Sequence, residues 1–375
     1  MKVSYSYLPR QFAEPDAILA DIKALVLEGD FTLGRRLETF EKQFAEFIGV
    51  KHAIGVGSGT DALFLILKAL GIGDNKGYKN DEVITAVNTF VATVGAIETA
   101  GAVTRFVDCN SQYVIDENLI EKAITPNTRA IMPVHFSGQP AAMKKILEIA
   151  KKHQLYIVED ACCAIDAEVN GMRCGTIGIA AAFSLHPQKN LNVWSDGGIV
   201  TTNNDQLAEK LRLMRNHGMR DRDHYAFYAY NSRLDPIQAI VGIHLIKDTK
   251  WITDKRIEIA DKFDHAWKEF AKYITIPERK KNERRVYHMY MILVEHRDEL
   301  YQYLIEHGID AKIHYPIPLH LQEASQHLGY HQGDFPTAED QAKKIISLPA
   351  HQHLTDDEVA LTIKTVQKFY IEKAL

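Results

Sequence analysis

Cysteine is scarce in this chain of 375 residues: there are four, Cys109, Cys162, Cys163 and Cys174. They form no CxxC pair and no His/Cys metal spacing, and the adjacent Cys162 and Cys163 are badly placed to bridge each other. A disulfide framework and a metal site are therefore not expected, and a reducing cytoplasm fits best. Also missing is any stretch near the roughly 18 apolar residues that a membrane span needs. The start, MKVSYSYLPRQ, has no apolar signal core, so no membrane association is expected. Positive charge is not in excess either. The formal net charge is -5 with Lys and Arg scattered, which gives no basic face for a nucleic-acid backbone. Internal repeats and low-complexity linkers are absent.

What the chain does have is alternation. From about residue 50 to 245, short β-rich runs (HAIGVG, DEVITAV, VTRFVD, AIMPVHF, YIVED, AAFSLH, GGIVTT) are separated by helical patterns such as DALFLILKAL and AAMKKILEIAKKH. Several runs are apolar throughout, as expected of strands covered on both faces. The pattern predicts an α/β fold: a three-layer α/β/α sandwich around a mostly parallel sheet. Past residue 246 a long charged helix, then VYHMYMILVEH, DELYQYLIEHG and TDDEVALTIKTVQKFY, predict a smaller α+β domain with an antiparallel sheet. The expected division is 1–245, an N-terminal segment plus the large domain, and 246–375. The amphipathic helix DAILADIKALVLEGD near the start could pack with either.

Three stretches carry chemistry. GVGSGTDALFLILKAL runs from a strand through a glycine turn into a helix, and free N–H groups at such a helix start suit a phosphate. Gly55, Gly57 and Gly59 are spaced G-x-G-x-G, which is neither a dinucleotide fingerprint nor a P-loop. A turn that only lets the helix pack on its strand is the plainer reading of this motif alone. LYIVEDACCA ends a strand in Glu159 and Asp160, at the sheet edge where open α/β folds bind ligands; a simple helix cap is the alternative. FSLHPQKN places Lys189 after the next strand, where apolar walls would lower its pKa and make it an amine nucleophile. Phosphate cradle, strand-end acid and lysine together are the anchors of a pyridoxal phosphate enzyme.

These stretches also carry a resemblance. With FTLGRRLETFEKQFAEFIGVKHAIGVGSGTDAL, NTFVATVGAIETAGA, VEDACCAI, FSLHPQKN, DGGIVTT, RNHG, YNSRLDPIQAIVG and HYPIPLHLQ in order, the chain from about residue 8 onward resembles the DegT/DnrJ/EryC1/StrS family of sugar aminotransferases. That family has the pyridoxal phosphate fold type I of the aspartate aminotransferase superfamily. The resemblance implies that Lys189 forms a Schiff base with pyridoxal 5'-phosphate and that Asp160 pairs with the pyridine nitrogen. Phe90 would stack on the ring, and Gly59, Thr60 and Ser184 would bind the phosphate. Asn231 would reach the phosphate of a neighbouring subunit, making the active unit a homodimer with shared sites. Three departures stand out. Cys163 replaces a glutamine near the cofactor's 3-hydroxyl, Gln188 replaces a threonine, and Trp194 would put bulk near the site.

The implied reaction is a ping-pong transfer from an amino donor, L-glutamate by resemblance and L-glutamine in some members, through pyridoxamine phosphate. The acceptor would be a keto sugar, nucleotide-linked at a 3- or 4-keto carbon, giving an amino sugar for a glycan such as lipopolysaccharide or for an antibiotic. His186, Arg220, Arg233, His314, Tyr315 and His320 are the candidate substrate contacts, with Arg222 beside Arg220; exposed arginines and histidines are more often simply solvated. A keto sugar phosphate, or a non-catalytic regulatory member of the family, are the alternatives. Relatives that dehydrate sugars carry histidine at the position of Lys189, which argues against dehydration.

Overall fold

The computed structural model describes residues 1–74 and 80–373. Its centre is a seven-stranded sheet. In spatial order the strands are His52–Val56, Gly198–Thr202, Ala180–Ser184, Tyr156–Asp160, Thr128–Met132, Glu82–Ala86 and Val103–Val107. Only Gly198–Thr202 runs antiparallel to its neighbours. Each of the seven β-rich runs supplies one of these strands.

The apolar runs are explained by what covers them. In Ala180–Ser184, Ala181 and Phe183 face one cluster while Ala180 and Ala182 face another. Neighbouring residues on a strand point to opposite faces, so a strand covered on both sides is apolar at every position. One covering layer contains the helices Gly59–Ala69, Val91–Thr99 and Asp205–Met214. The other contains Gly34–Ile48, Met143–His153 and Pro236–Leu245. A fully buried residue such as Phe183 or Phe44 contributes about 1.5–3 kcal/mol, and the edge-on packing of this pair at 5.2 Å adds a directional preference.

The helix Asp16–Glu28 packs with the large sheet, because Ile18 and Leu25 bury against the cluster of Phe40 and Ile240. It stops at Gly29, whose φ of 72° supplies the left-handed cap. The first residues lie elsewhere. Val3 pairs with Ile309 and is buried among Phe263, Trp267 and Tyr290.

Beyond Leu245 the chain forms the helix Thr249–Ala266 and a second sheet, in which Tyr290–Val294 lies between Ile274–Thr275 and Ile345–Leu348, all antiparallel. The helices Arg297–Glu306 and Asp356–Glu372 pack on it. The last helix opens with a reciprocal cap between Thr355 and Glu358. The result is the α/β sandwich with a smaller α+β part that the alternation predicts.

Candidate active site

Six mutually parallel strands end at one edge of the large sheet, among them those that close at Val56, Ala86, Asp160 and Ser184. The residues that follow enclose a cavity of about 270 Å³. Of the positions singled out in the sequence, Gly59, Thr60, Phe90, Asp160, Cys163, Ser184, His186, Lys189 and Tyr315 line it. Most come from separate strand ends, so the sheet itself brings them together.

The two acids of YIVED divide by strand alternation. Asp160 faces the cavity, where Oδ2 accepts from the Thr93 hydroxyl at 2.7 Å and Oδ1 from the backbone N–H of Cys162 at 3.1 Å. Thr93 is in turn joined to Thr89 at 2.7 Å. Glu159 points to the other face and is fully buried. It accepts from the backbone N–H groups of Gly175, Ile177 and Gly178 at 2.7–2.8 Å and lies 3.0 Å from His135 Nε2. The backbone N–H of Ala141 donates to His135 Nδ1, so the imidazole proton sits on Nε2 and points at Glu159. Glu159 thus holds the loop behind the cavity, and of this pair only Asp160 offers its carboxylate inside it; the exposed Asp196 also lines the wall.

Lys189 lies in the turn after Ala180–Ser184. Its own carbonyl accepts from the Tyr7 hydroxyl at 2.7 Å and from Asn192 Nδ2 at 3.2 Å, which fixes the turn. Its Nζ is 3.0 Å from Cys163 Sγ. Burial disfavours the ammonium, but Cys163, Cys162 and Asp160 outweigh it and leave the pKa above the ordinary lysine value. This corrects the expectation from sequence that apolar walls lower it: the groups acting on Nζ are two thiols and a carboxylate. His186 is pushed the other way, by burial and by the charge of Lys189.

At the far side stands the start of the helix Gly59–Ala69, capped by Ser58, whose side chain accepts from Asp61 N at 3.0 Å. The first N–H groups of a helix have no partner within it. Gly59 is needed for close approach: a Cβ there would meet Ser184 Cβ at 2.8 Å and Cys162 Sγ at 2.9 Å. This is a cradle for an anion at the end of a cavity that also holds a carboxylate and a lysine. The residues therefore fit the phosphate, ring nitrogen and aldehyde of pyridoxal phosphate. Phe90, half exposed at the start of the helix Val91–Thr99, lies 5.9 Å from the Tyr315 ring and closes a third side.

The remaining candidates scatter. Asn231 is exposed and, with Arg233, borders a separate surface hollow beside Gly57 and Asp61; Arg233 Nη1 donates to Asn216 Oδ1 at 3.0 Å. Arg220 and Arg222 are exposed on the loop that follows Asp205–Met214. His314 is bonded to Ser347 Oγ at 2.9 Å and borders two neighbouring cavities. His320 is 2% exposed, lies 3.0 Å from Glu339 Oε1 and packs its ring against Phe335 at 4.8 Å, beneath the wall rather than on it. Trp194 also departs from expectation. Its ring meets Phe12 edge-on at 5.6 Å in the core packing, while Gln188 does line the cavity. Thr93, Tyr7 and Asn192 were missed in the sequence; Thr93 sits one helical turn after Phe90 in NTFVAT, a spacing that marks it.

Fold and cavity together define a pyridoxal phosphate-dependent aminotransferase. The chain belongs to the DegT/DnrJ/EryC1/StrS aminotransferase family, whose model matches residues 13–367. A transaminase of Streptomyces venezuelae named for dTDP-3-amino-3,4,6-trideoxy-alpha-D-glucose is 38% identical, covering 98% of this chain and 94% of its own. A pleiotropic regulatory protein of Geobacillus stearothermophilus is 39% identical over 91% of each chain. Among solved structures, S. venezuelae DesV in complex with a ketimine intermediate has a TM-score of 0.94 and 37% identity, with 98% of each chain covered. The Bacillus subtilis protein NtdA with bound cofactor PMP has a TM-score of 0.87 and 30% identity, over 94% of this chain and 81% of that one. The enzyme is a sugar aminotransferase, and its cofactor is pyridoxal 5'-phosphate. No described helix is long and apolar enough to cross a membrane.

Proposed function

We propose that the enzyme takes its amino group from L-glutamate and delivers it to a nucleotide-linked 3- or 4-keto sugar. The observation that carries the chemistry is the convergence of Lys189, Asp160 and the Gly59 helix start on one cavity. The relative named for a dTDP-linked 3-amino sugar supports the acceptor class.

When bound, the cofactor supplies an aldehyde for a primary amine and a ring that takes up electrons from the carbon being aminated. Lys189 Nζ is the amine that holds it at rest. Freed when the donor binds, the same amine would take and return the proton of the donor's α-carbon. Asp160, oriented by Thr93 and the N–H of Cys162, would keep the ring nitrogen charged. The backbone of Gly59 and Thr60 and the Ser184 hydroxyl would hold the phosphate, and Phe90 would cover the ring. His186 and Tyr315, on the cavity wall, are the substrate contacts of this reading, with His314 next to them.

The reading includes a homodimer. Asn231 lies outside its own chain's cavity, on a surface that also exposes Tyr225, Phe227, Tyr228 and Tyr230. Aromatic residues gathered on one exposed loop suit a protein interface, and Asn231 would then serve the partner's phosphate.

The test is a panel of dTDP- and UDP-linked 3- and 4-keto sugars beside keto sugar phosphates, with L-glutamate as donor and 2-oxoglutarate as the measured product. Turnover on a nucleotide-linked ketone is expected. Turnover confined to a sugar phosphate would overturn the acceptor assignment. The relative named as a regulatory protein favours a second reading, an added regulatory role; Lys189 and Asp160 in place weigh against a wholly non-catalytic one.

A further inference from the structure

A second chamber of about 440 Å³ adjoins the cofactor cavity and shares Gln188, His288, Met289 and Tyr315 with its wall. Its charge is of a different kind. Arg256, on the helix Thr249–Ala266, lines it and is only 2% exposed. Its Nε donates to Gln352 Oε1 at 3.0 Å, and its Nη1 to the carbonyls of Tyr287 and His288 at 3.1 Å. The guanidinium lies 5.0 Å from the Tyr7 ring centre. Nη2 is buried and has no hydrogen-bond partner among the described residues.

Lys312 lines the same chamber, paired at 2.5 Å with Asp310, the one carboxylate among the described residues of the wall. Three histidines there, His288, His314 and His351, are pushed below the ordinary imidazole range, by burial first and then by nearby cations such as Arg256, Lys312 and Lys189. They stay neutral near pH 7. The chamber therefore carries close to one net positive charge, centred on a guanidinium that does not lose its proton.

We infer that this chamber binds a carboxylate of the amino donor, held by Arg256 Nη2 with Lys312 alongside. A single net positive charge matches a carboxylate better than a sugar nucleotide's diphosphate, which carries at least two negative charges. The shared wall lets a short dicarboxylic amino acid put its amino group near Lys189 while an acid group enters the chamber. Arg285 makes the contrast. It too is buried with unpartnered nitrogens, but it lies 5.1 Å from the Tyr287 ring centre and is not part of either wall. The inference rests on the reading that the donor is L-glutamate, and it adds the residues that recognise it.

The test uses the holoenzyme and glutarate, which has both acid groups of glutamate and no amine. Arg256 anchors two backbone carbonyls, so its removal risks the fold; Lys312 and Asp310 are safer positions. Calorimetric titration should show glutarate binding weakened about tenfold or more in Lys312→Met, where Asp310 is left to repel it, and tightened severalfold in Asp310→Asn. In the same variants kcat/KM for L-glutamate should move in the same directions while kcat/KM for the keto sugar stays within about twofold, since each ratio reports its own half-reaction. Equal glutarate affinity in all three proteins would overturn the inference. So would a change confined to kcat/KM for the sugar, which would make the anion the acceptor's phosphate. Failure of the glutamate reading looks different: no 2-oxoglutarate forms, yet glutarate binding still follows the two charges.

Discussion

The strand ends at Asp160 and Ser184 and the irregular segment from His314 to His320 both contribute to the surroundings of Lys189, but they do so by different physics. At the strand ends the sheet decides direction. Glu159 and Asp160 are neighbours in sequence, yet pleating sends one into the core network with His135 and the other into the cavity with Thr93. Along HYPIPLHLQ no such rule operates. His314 bonds Ser347, Tyr315 faces the cavity and His320 is buried against Glu339. Side chains on regular elements can be placed from sequence by period; those on an irregular segment are placed by what packs around them.

The comparison can be broken or sharpened by substitution. The largest effect should come from Lys189→Ala, which removes the amine to which the proposed mechanism assigns the proton transfer and should lower kcat by about 10³-fold or more, measured as 2-oxoglutarate release. Asp160→Asn keeps the shape and the bond from Thr93 but removes the charge. It should lower kcat about 10²-fold with little change in the unfolding midpoint.

Glu159→Gln should do the reverse. Its carboxylate serves three backbone N–H groups and His135, so denaturant unfolding should show a loss of about 2–4 kcal/mol, while the folded enzyme retains most of its kcat. If Glu159→Gln instead cut kcat as deeply as Asp160→Asn, the division of the strand into structural and chemical faces would fail. His320→Ala should cost about 1–3 kcal/mol of stability through lost packing and leave kcat/KM for the sugar unchanged. A fall in that ratio would return His320 to the substrate wall.

The smallest effect concerns pH. Burial, then Lys312 and Lys189, hold His314 down to about 4. A base whose folded-state pKa lies below its unfolded value of about 6.5 takes up its proton more readily when unfolded. Its contribution is therefore fully favourable above that value and declines as pH falls toward 4. His314→Gln should flatten this part of the stability profile, read from unfolding midpoints at several pH values.

Much of the fold was legible, because seven apolar or alternating runs punctuated by helices leave few architectures open. The cofactor cavity was legible for the same reason: Gly59, Asp160, Ser184 and Lys189 each follow or end a strand. Thr93 escaped notice since its importance lies in a bond to Asp160, distant in sequence. Trp194 was expected near the site because it is five residues from Lys189, but the turn between them sends its ring to Phe12. The direction of the Lys189 pKa could not be read either, as it depends on Cys163 folding to 3.0 Å from Nζ. Arg256, inferred above to hold the donor's carboxylate, could not be picked out from the sequence. It sits in a charged helix whose pattern gives no sign that its single arginine is buried with a free N–H.

The most direct test of the central claim is the visible absorption spectrum of the holoenzyme during titration with L-glutamate, with 2-oxoglutarate quantified in parallel. The expected result is loss of the yellow cofactor band with one 2-oxoglutarate released per active site, and no such conversion in Lys189→Ala. A band that persists with no 2-oxoglutarate formed, or a Lys189→Ala protein that converts as the wild type does, would contradict the account.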